Sequence, residues 1–458
     1  MYNIAKSIIT PIDMDRKILV SVLILNWNGK EHLEECLSSL TKGCSREDVE
    51  FVVVDNASND GSVQFVKDTF SHDSRVKVLT LDKNYGWSGG NNRGMQKAID
   101  KGSKYIFLLN NDTKVEQRCI EKLIEFSEEH PEAGAIAPKI ILYDQPFLLN
   151  SIGLECSIIG SAWDRGIGRV DTPRWNKVEE VIGVCGAGMW LRSEALKITG
   201  LLPENFEIYL DDLDLCLRIW MNRYKILTCP DAMLYHKFSS TWKTSTDKEK
   251  RKYYLNTRNR FWLIERNFPK GKLPKIIFYL MYGEIKAIAN SVRKGELWRI
   301  SAHAKSWAEA VRYLPEAINT RRLNKQLGEN VKEFWRLVKT FPLFCPEVKL
   351  PINGWYKDDI VNEFKAFPIS KFAWLEHKKD SKLNITVYNF EPQIGEVDIN
   401  IKTSDGNNFR VVTKHSETIR INNLLPGTKI EFEANRLFEA EITKKSYDIG
   451  GWIRVETI

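Results

Sequence analysis

The sequence predicts an α/β fold, with a mixed sheet that carries helices on both faces, then a helical region and a C-terminal β-sandwich-like domain. Apolar strands alternate with amphipathic helices through the first half, as is typical of such a sheet. Long helical segments follow from about residue 272, and short strands separated by turn signals begin after about residue 345. The 458 residues allow two or three domains.

The first half of the chain alternates regularly between buried strands and helices. Its β-branched, apolar runs end in turn formers, which predicts strands that are covered on both faces. The predicted elements are strands at 18–26, 50–55, 76–81 and 105–109, and helices at 30–41, at 62–70 and from the glycine-rich 86–94 onward. Because ligands bind at the carboxyl ends of the strands in such sheets, we expect the functional site there.

The second half changes first to helices and then to strands. Residues 275–292 have a broad apolar face, with basic residues around it at Lys270, Lys272, Lys275, Arg293, Lys294 and Arg299. This face either packs on the catalytic domain or binds an anionic membrane, and the sequence favours neither. Short strands are predicted at 383–390, 396–402, 408–413, 417–422, 429–433, 438–443 and 451–457. The predicted divisions are an N-terminal extension (1–17), a catalytic domain (18–270), a basic amphipathic helical region (271–344) and a β-rich domain (345–458).

Composition excludes several classes of protein. Hydrophobic residues make up 43% and charged residues 28%, and no run of about 18 apolar residues is present to span a bilayer. Without the pattern of a signal peptide, we expect a cytoplasmic protein. The eight cysteines are scattered with no CxxC pair, so neither a zinc site nor a disulfide framework is indicated. The net charge of +7 does not come with interleaved aromatic residues, so we expect no nucleic-acid surface.

Three polar clusters follow predicted strands, at 26–28, 55–60 and 110–112. One cluster alone would be interpreted as a solvated turn, but three at one sheet edge predict a nucleotide site. Asp55 and Asp60 are placed to accept hydrogen bonds from a base or ribose. Asp112 is placed to hold Mg²⁺ or Mn²⁺ against a diphosphate, because these ions prefer oxygen ligands.

Three further acids, Asp211, Asp212 and Asp214, lie at the predicted start of a helix. Acidic residues there interact favourably with the helix dipole, which is one interpretation. The other is a general base, which needs one carboxylate aimed at an acceptor hydroxyl. The spacing does not choose among the three acids.

Several motifs occur together and in order along residues 18–268. They are NWNG, VDNASNDGS, NYGWSGGNNRG, LLNNDT, GAGMWLRSEAL, YLDDLDLCLRIW and YHKFSS. The chain thereby resembles the inverting family 2 glycosyltransferases, and in particular the rhamnosyltransferase-like branch that builds bacterial surface polysaccharides. Several ordered motifs are a strong signal, whereas any one alone is weak.

The resemblance implies a GT-A fold and a set of site residues. Asp212 matches the catalytic base, with Asp211 and Asp214 in the base and acceptor neighbourhood. Asp112 matches the last acid of the metal motif and His236 a histidine that completes the metal or diphosphate site. Arg258 and Arg260 are candidates for the diphosphate. The residues that match the nucleotide-sugar site are Asn26, Asn28, Asp55, Asp60, Asn84, Gly89, Gly90, Asn91, Arg93, Asn110 and Asn111.

The chain departs from the family pattern at three points. Asn110 stands at the first acid position of the metal motif, so fewer formal charges face the metal. Asp211 replaces a glutamate beside the base, which makes the choice between Asp211 and Asp212 less secure. The QxxRW motif of processive polymerases is absent from the sequence, which indicates single additions.

The resemblance thus implies a hexosyltransferase that inverts the anomeric centre, with dTDP-L-rhamnose as the expected donor and a saccharide, expected to be lipid-linked, as the acceptor. A UDP-hexose donor is the alternative. A non-catalytic carbohydrate-binding or scaffold protein is a hypothesis of a different class, in which the β-rich tail would bind carbohydrate or mediate oligomerisation. Asp112 and Asp212, which a decayed enzyme would have lost, are both present. A peripheral location on the inner face of the cell membrane fits the basic helical region, and the oligomeric state is left open.

Overall fold

The protein is described by a computed structural model. The described residues are 17–146, 148–169, 171, 173–237, 246–326, 331–344, 367–369, 372–376, 381–388, 397–404, 406, 408–413, 416–424, 429–434, 438–442, 445–449 and 451–457. The predicted N-terminal extension, up to residue 16, lies outside them. The last three residues of the YHKFSS motif, at 238–240, also lie outside them.

The chain divides into two compact units. The first comprises residues 1–146, 150–165 and 173–346, and the second comprises 147–149, 166–172 and 347–458. The helical region therefore belongs to the same unit as the sheet. The boundaries that the sequence places at 270 and 344 stay predictions.

The elements follow the predicted order. The helices are α1 (Lys30–Gly43), α2 (Ser62–Thr69), α3 (Gly86–Asp100), α4 (Cys119–Glu129), α5 (Ser193–Thr199), α6 (Asp211–Met221), α7 (Thr246–Asn267), α8 (Leu273–Arg293), α9 (Trp298–Gln326) and α10 (Val331–Trp335). The strands up to the last helix are β1 (Val20–Asn26), β2 (Val49–Asp55), β3 (Val76–Thr80), β4 (Tyr105–Asn110), β5 (Thr113–Val115), β6 (Ala133–Leu142), β7 (Leu149–Ser151), β8 (Leu154–Cys156), β9 (Ala162–Asp164), β10 (Gly188–Arg192) and β11 (Lys225–His236).

The central sheet is mixed, as predicted. In the described chain its strands run in the order β3-β2-β1-β4-β10-β6-β11-β5. The first four are parallel, as the strand–helix alternation predicts, whereas β10 is antiparallel to both of its neighbours and β5 is antiparallel to β11. The alternation could not reveal the antiparallel strands, because they depend on long connections rather than on local pattern.

A separate apolar core covers each face of the sheet. Alternate residues of β1 divide between them: Leu23 lies in the core under α3 and α6, while Val22 and Ile24 lie in the core under α1, α2 and α4. Helix α1 contributes Leu33, Cys36, Leu37 and Leu40 to the second core, which is the predicted face. The predicted helices on both faces are thereby confirmed.

The register of the parallel strands brings their carboxyl ends together. Asn26 at the end of β1 is paired with Asp55 at the end of β2, and Leu25 is paired with Asn110 at the end of β4. Polar residues that are far apart in sequence therefore share one sheet edge.

A buried ionic cluster joins α6 to α7. The carboxylate of Asp214 is fully buried and accepts hydrogen bonds from Arg218 Nε at 2.8 Å, Arg266 Nε at 2.8 Å and Asn267 Nδ2 at 2.7 Å. Burial raises the pKa of Asp214, but the guanidinium charges of Arg266 and Arg218 outweigh that effect and hold the pKa below its usual value. This ionised carboxylate thereby ties the last turn of α7 to α6.

A second buried cluster joins α7, α8 and α9. Glu284 in α8 is buried and forms an ion pair with Arg260 in α7. Its other oxygen accepts from His303 Nδ1 and Trp307 Nε1 of α9, each at 2.8 Å. A buried charge is tolerated when it is paired and fully hydrogen-bonded, so the inner face of α8 is held by polar contacts.

The second unit consists of short antiparallel strands. They are β12 (Phe367–Ile369), β13 (Phe372–Glu376), β14 (Ser381–Tyr388), β15 (Val397–Thr403), β16 (Asn408–Thr413), β17 (Ser416–Leu424), β18 (Lys429–Ala434), β19 (Phe438–Ile442), β20 (Lys445–Ile449) and β21 (Gly451–Thr457). The described residues form two four-stranded sheets, β12-β21-β14-β17 and β13-β18-β15-β16, and the β19–β20 pair. The seven predicted strands are present, and β12, β13 and β20 were not predicted.

Two observations concern the whole described chain. Its seven cysteines, Cys36, Cys44, Cys119, Cys156, Cys185, Cys216 and Cys229, are free. Cys345 lies outside the described residues. Among the helices that the structure describes, none has both the length and the apolar character needed to cross a membrane.

Candidate active site

A chain of amide hydrogen bonds connects the ends of three strands. Asn111 Nδ2 donates to Asn26 Oδ1 at 2.8 Å, and Asn26 Nδ2 in turn donates to Asp55 Oδ1 at 3.3 Å and to Ser58 Oγ at 3.2 Å. Asp55 also accepts from the backbone N–H of Ser58 at 3.1 Å. Because a carboxylate only accepts, Asp55 fixes the orientation of both amides along the chain.

Gly29 allows this chain of amides to form. A Cβ at Gly29 would lie 2.2 Å from Asn111 Nδ2 and 2.9 Å from Asn26 Oδ1. Any other residue at position 29 would therefore displace the contact between Asn111 and Asn26. The glycine of the NWNG motif is explained by this close approach.

The loop after β2 is tied to the start of α1. Asn28 Oδ1 accepts from the backbone N–H of Asn59 at 2.8 Å, and its own N–H donates to Ser58 Oγ at 3.0 Å. Asp60 Oδ2 accepts from the N–H of Lys30 at 2.9 Å. Four residues predicted for the nucleotide-sugar site are thereby brought together at the carboxyl edge of the sheet: Asn26, Asn28, Asp55 and Asp60.

The glycine-rich segment has a packing role that its sequence did not reveal. A Cβ at Gly90 would lie 2.5 Å from Leu25 Cδ1, and one at Gly89 would lie 2.9 Å from Tyr85 Cβ. Gly90 therefore lets α3 approach β1 closely. The guanidinium of Arg93 donates to the Gly89 carbonyl at 2.9 Å and to Glu204 at 2.6 Å, so it is engaged with protein groups.

The turn before α3 is held by Asn56, a residue that was not singled out from the sequence. Its side chain donates to Asn84 Oδ1 and to the Gly86 carbonyl, both at 3.0 Å, and accepts from the N–H of Tyr85 at 2.9 Å. Asn91, in the first turns of α3, donates to the Trp87 carbonyl at 3.1 Å. The only sequence signal for Asn56 is its place in the strand-end cluster 55–60, directly after Asp55.

Asp112 and His236 lie side by side, as the metal prediction requires. Asp112 Oδ1 is 3.3 Å from His236 Nε2, and His236 Nδ1 is 2.7 Å from Asn150 Oδ1. The contact with Asn150 orients the imidazole ring so that Nε2 faces Asp112. Among the described residues, no group of three or more His, Cys, Asp or Glu side chains could hold a metal ion, so Asp112 and His236 form a pair and not a larger cluster.

Trp87 and Gly186 connect the metal motif to Asp212. Trp87 Nε1 donates to Asn110 Oδ1 at 3.3 Å, and a Cβ at Gly186 would lie 2.8 Å from two carbons of the Trp87 ring. The N–H of Gly186 donates to Asp212 Oδ2 at 3.2 Å. Gly186 thus allows the indole of Trp87 and the carboxylate of Asp212 to lie close together. In the sequence, only the GAG run pointed to Gly186.

The three acids of α6 have different surroundings. Asp211 is buried and accepts from the hydroxyl of Ser88, while Asp214 is enclosed in the ionic cluster with Arg218 and Arg266. Asp212 is half-buried, and its recorded hydrogen bonds come from the N–H groups of Gly186 and Leu213. The place of Asp214 in the base and acceptor neighbourhood stays a prediction, and in the structure its carboxylate joins α6 to α7.

Burial raises the pKa of Asp212, and the negative charge of Asp211 raises it further. The pKa of Asp211 is also raised by burial, against the opposing effect of the hydrogen bond from Ser88. A carboxylate whose pKa lies above the usual range is a stronger base than an exposed aspartate.

Arg258 and Arg260, the predicted diphosphate ligands, make other contacts. Arg258 is buried and donates to Glu207 Oε1 at 3.1 Å and to the carbonyls of Asn205 and Phe206. Arg260 is buried in its ion pair with Glu284. The diphosphate role of Arg258 and Arg260 stays a prediction, and in the structure both guanidinium groups contact protein acceptors.

Replacing Asp212 with Asn should raise the melting temperature at about pH 8, because it removes a negative charge beside Asp211. The folded pKa of the Asp212 carboxyl is raised, so its stabilising contribution is fully present below the unfolded pKa and is lost as pH rises through the folded pKa. We expect Asp212→Asn to melt about 2–4 °C higher than wild type at that pH, with the difference shrinking as pH falls. Scanning fluorimetry across a pH series measures it.

Asp68→Asn is the control for this comparison, since Asp68 is exposed on α2 and its carboxylate accepts a hydrogen bond from Gln64 of the same helix. Its melting temperature should follow that of wild type at every pH. A difference for Asp212→Asn that grows as pH falls would contradict the assignment of a raised pKa.

Comparison with known proteins places these motifs in a family. The family model described as "Glycosyl transferase family 2" matches residues 21–193. The low-salt glycan biosynthesis hexosyltransferase Agl10 of Haloferax volcanii is 24% identical over 270 residues, which are 55% of this chain and 77% of Agl10. The putative teichuronic acid biosynthesis glycosyltransferase TuaG of Bacillus subtilis is 28% identical over 113 residues, which are 25% of this chain and 43% of TuaG.

Solved structures align with this chain at lower identity and with TM-scores below 0.5. The crystal structure of S. aureus TarS 1-349 aligns with a TM-score of 0.45 and 17% identity, over 70% of this chain and 91% of that one. The mannosyltransferase PcManGT of Pyrobaculum calidifontis, solved with GDP-Man and Mn²⁺, aligns with a TM-score of 0.41 and 16% identity, over 71% and 91%. The family match thus covers residues 21–193, which hold the strand-end clusters at 26–28, 55–60 and 110–112.

Proposed function

We propose that the chain is an inverting, metal-dependent hexosyltransferase that transfers L-rhamnose from dTDP-L-rhamnose to a saccharide acceptor. The observation that carries the proposal is the convergence of Asp55, Asp112 and Asp212 around the carboxyl edge of β1, β2 and β4. The proposed product belongs to a cell-surface polysaccharide. The choice of rhamnose rests on the order of the sequence motifs, which resemble the rhamnosyltransferase-like branch.

The donor nucleotide is proposed to lie against the amide chain. Asp55 and Asp60 are held by backbone N–H groups and accept hydrogen bonds from the base and ribose. The hydrogen bond from Asn111 to Asn26 connects the ends of β4 and β1 beneath the proposed nucleotide position. The diphosphate then extends toward Asp112, which follows Asn111 directly in the chain.

The pair Asp112 and His236 is proposed to hold Mg²⁺ or Mn²⁺. The ring of His236 is oriented by Asn150, which leaves Nε2 directed to the same place as the carboxylate. Two protein ligands leave the remaining positions for diphosphate oxygens and water, as these ions commonly require. When bound, the ion neutralises the charge that develops on the leaving diphosphate.

Asp212 is proposed to act as the general base. One of its oxygens removes the proton from an acceptor hydroxyl, and the hydroxyl oxygen attacks the anomeric carbon from the face opposite the diphosphate. The new C–O bond forms as the bond to the diphosphate breaks, so the configuration inverts. The raised pKa of Asp212 suits this role, and the N–H of Gly186 keeps the carboxylate beside Trp87.

Thermal stabilisation by a panel of nucleotide sugars tests the donor and the metal together. With Mn²⁺ present, dTDP-L-rhamnose should stabilise the protein by about 2.7 kcal/mol at a hundred times its dissociation constant. A chelator or Asp112→Asn should remove most of this effect, while Asp100→Asn, on the exposed side of α3, should not. Stabilisation by a UDP-hexose instead would favour the alternative donor, and no stabilisation by any donor would contradict the proposal.

Asp212→Asn should lower kcat by about 10²–10⁴-fold, the usual contribution of a positioned general base. Donor binding should change less than about twofold, because the amide chain at Asn26 and Asp55 is untouched. Single-turnover transfer and donor titration measure the two quantities. Full transfer activity in Asp212→Asn would exclude Asp212 as the base.

The outer face of α8 is proposed to contact an anionic membrane, which would bring the enzyme to a lipid-linked acceptor. Large apolar side chains repeat at helical spacing there, including Phe278, which is 67% exposed, Met281 and Ile285, which is 65% exposed. Exposed basic residues lie at both ends of the helix, at Lys270, Lys272, Lys275, Arg293 and Lys294. The one acid within α8, Glu284, is buried, so no exposed negative charge opposes an anionic surface.

Exchanging both Phe278 and Ile285 for serine should weaken binding to anionic vesicles about 10-fold or more, because two apolar side chains no longer leave water. Flotation with phosphatidylglycerol vesicles at low and high salt measures it. Ile198→Ser is the control, since Ile198 is also exposed and apolar but lies on α5. Equal binding of all three proteins, or binding that ignores lipid charge and salt, would contradict the membrane surface.

A further inference from the structure

The loop that leads into α6 has a strained backbone. Three residues of this loop, none of them glycine, have positive φ angles: Glu207 at 66°, Tyr209 at 72° and Leu210 at 63°. Side chains with a Cβ rarely adopt this conformation, so it persists only where the surroundings hold it in place. The loop ends at Leu210, directly before Asp211 and Asp212, so its conformation sets where the two acids lie.

Asn259 of α7 holds this loop through its backbone. The side chain is fully buried, and its Nδ2 lies 2.9 Å from the Phe206 carbonyl, 3.0 Å from that of Ile208 and 2.9 Å from that of Tyr209. One amide group thus serves three carbonyls across the strained segment. A buried carbonyl without a donor is destabilised, so these contacts favour the observed loop conformation over alternatives.

Neighbouring contacts orient the Asn259 amide. Its Oδ1 accepts from Arg258 Nε at 2.9 Å, which directs Nδ2 to the loop. Arg258 also donates hydrogen bonds to the loop itself, to Glu207 Oε1 and to the Phe206 carbonyl, each at 3.1 Å. At the other end of α7, Arg266 and Asn267 bind Asp214 of α6. Helix α7 therefore holds both the loop and the helix on either side of Asp212.

We infer that Asn259 is a positioning residue, which fixes the loop 206–210 so that the Asp212 carboxylate meets the acceptor hydroxyl. The inference rests on the proposed role of Asp212 as the base. Asn259 touches no substrate in this account and acts only through the loop. Because a shift of about 1 Å at a reacting group lowers the rate by about 10²-fold, loosening the loop should affect the chemical step.

The test compares Asn259→Ser and Asn259→Asp with the same substitutions at Asn256. Asn256 lies on the same helix, and its amide bonds only the Lys252 carbonyl of that helix in the described structure. Asn259→Asp keeps the shape but removes the donor, and Asn259→Ser covers the case in which the aspartate variant fails to fold. We expect kcat to fall about 10- to 100-fold in the Asn259 variants, with the donor KM within about twofold of wild type.

Hydrogen exchange provides a readout that does not depend on activity. Amides of residues 206–213 should exchange faster in Asn259→Ser than in wild type or Asn256→Ser, while amides of β1 and β2 stay protected. Unchanged exchange in this loop, or a kcat equal to that of the Asn256 variants, would overturn the inference. If wild type transfers no sugar from any donor, the proposed function itself fails. Faster exchange in Asn259→Ser would then show only that Asn259 fixes the loop, without a role in catalysis, and the inference would be overturned as well.

Discussion

Three aspartates within four residues at the start of one helix impose the main electrostatic constraint on this structure. Like charges this close are destabilising in a protein interior, so each must be compensated. Asp214 is paired with two arginines, Asp211 accepts from Ser88, and Asp212 accepts from two backbone N–H groups. Arg218 lies on α6 itself, whereas Arg266 reaches Asp214 only because α7 packs against α6. The position of the acids therefore depends on a helix that follows them by more than thirty residues.

The same helix connects the sheet to the helical region. Arg258 and Asn259 bind the loop before α6, and the next residue, Arg260, pairs with Glu284 of α8. Three consecutive residues thus contact two different elements, because successive helical residues point about 100° apart. Helices α8 and α9 are consequently held to α7 by buried polar contacts. Their exposed apolar residues do not take part in these contacts. The two interpretations of residues 275–292 are thus compatible, since the inner face packs on the protein while the outer face is exposed.

Local pattern predicted the sheet edge well and the partners of its side chains poorly. Parallel strands share a carboxyl end, so polar residues after β1, β2 and β4 had to meet, and the helix start at Asp211 followed from its acids. The sequence could not show that Arg258 and Arg260 are enclosed by protein, because a buried guanidinium and a phosphate ligand look alike in sequence. Nor could it separate Asp214 from Asp212. The distinction depends on Arg266, whose approach is a tertiary contact across 52 residues.

The amides at positions 110 and 111 give a physical reason for the departure from an acid-rich metal motif. Asn111 donates to Asn26 Oδ1, and Asn26 donates onward to Asp55, which only accepts. An aspartate at 111 could not donate, so the chain of hydrogen bonds across β4, β1 and β2 would break. Asn110 accepts from Trp87, whose ring lies against Gly186 beside Asp212. A carboxylate there would add negative charge near Asp212, whose pKa is already raised by burial. The lean acid content at this edge therefore follows from the hydrogen bonds that the strand ends must make with each other, and it leaves Asp112 as the single carboxylate of the motif.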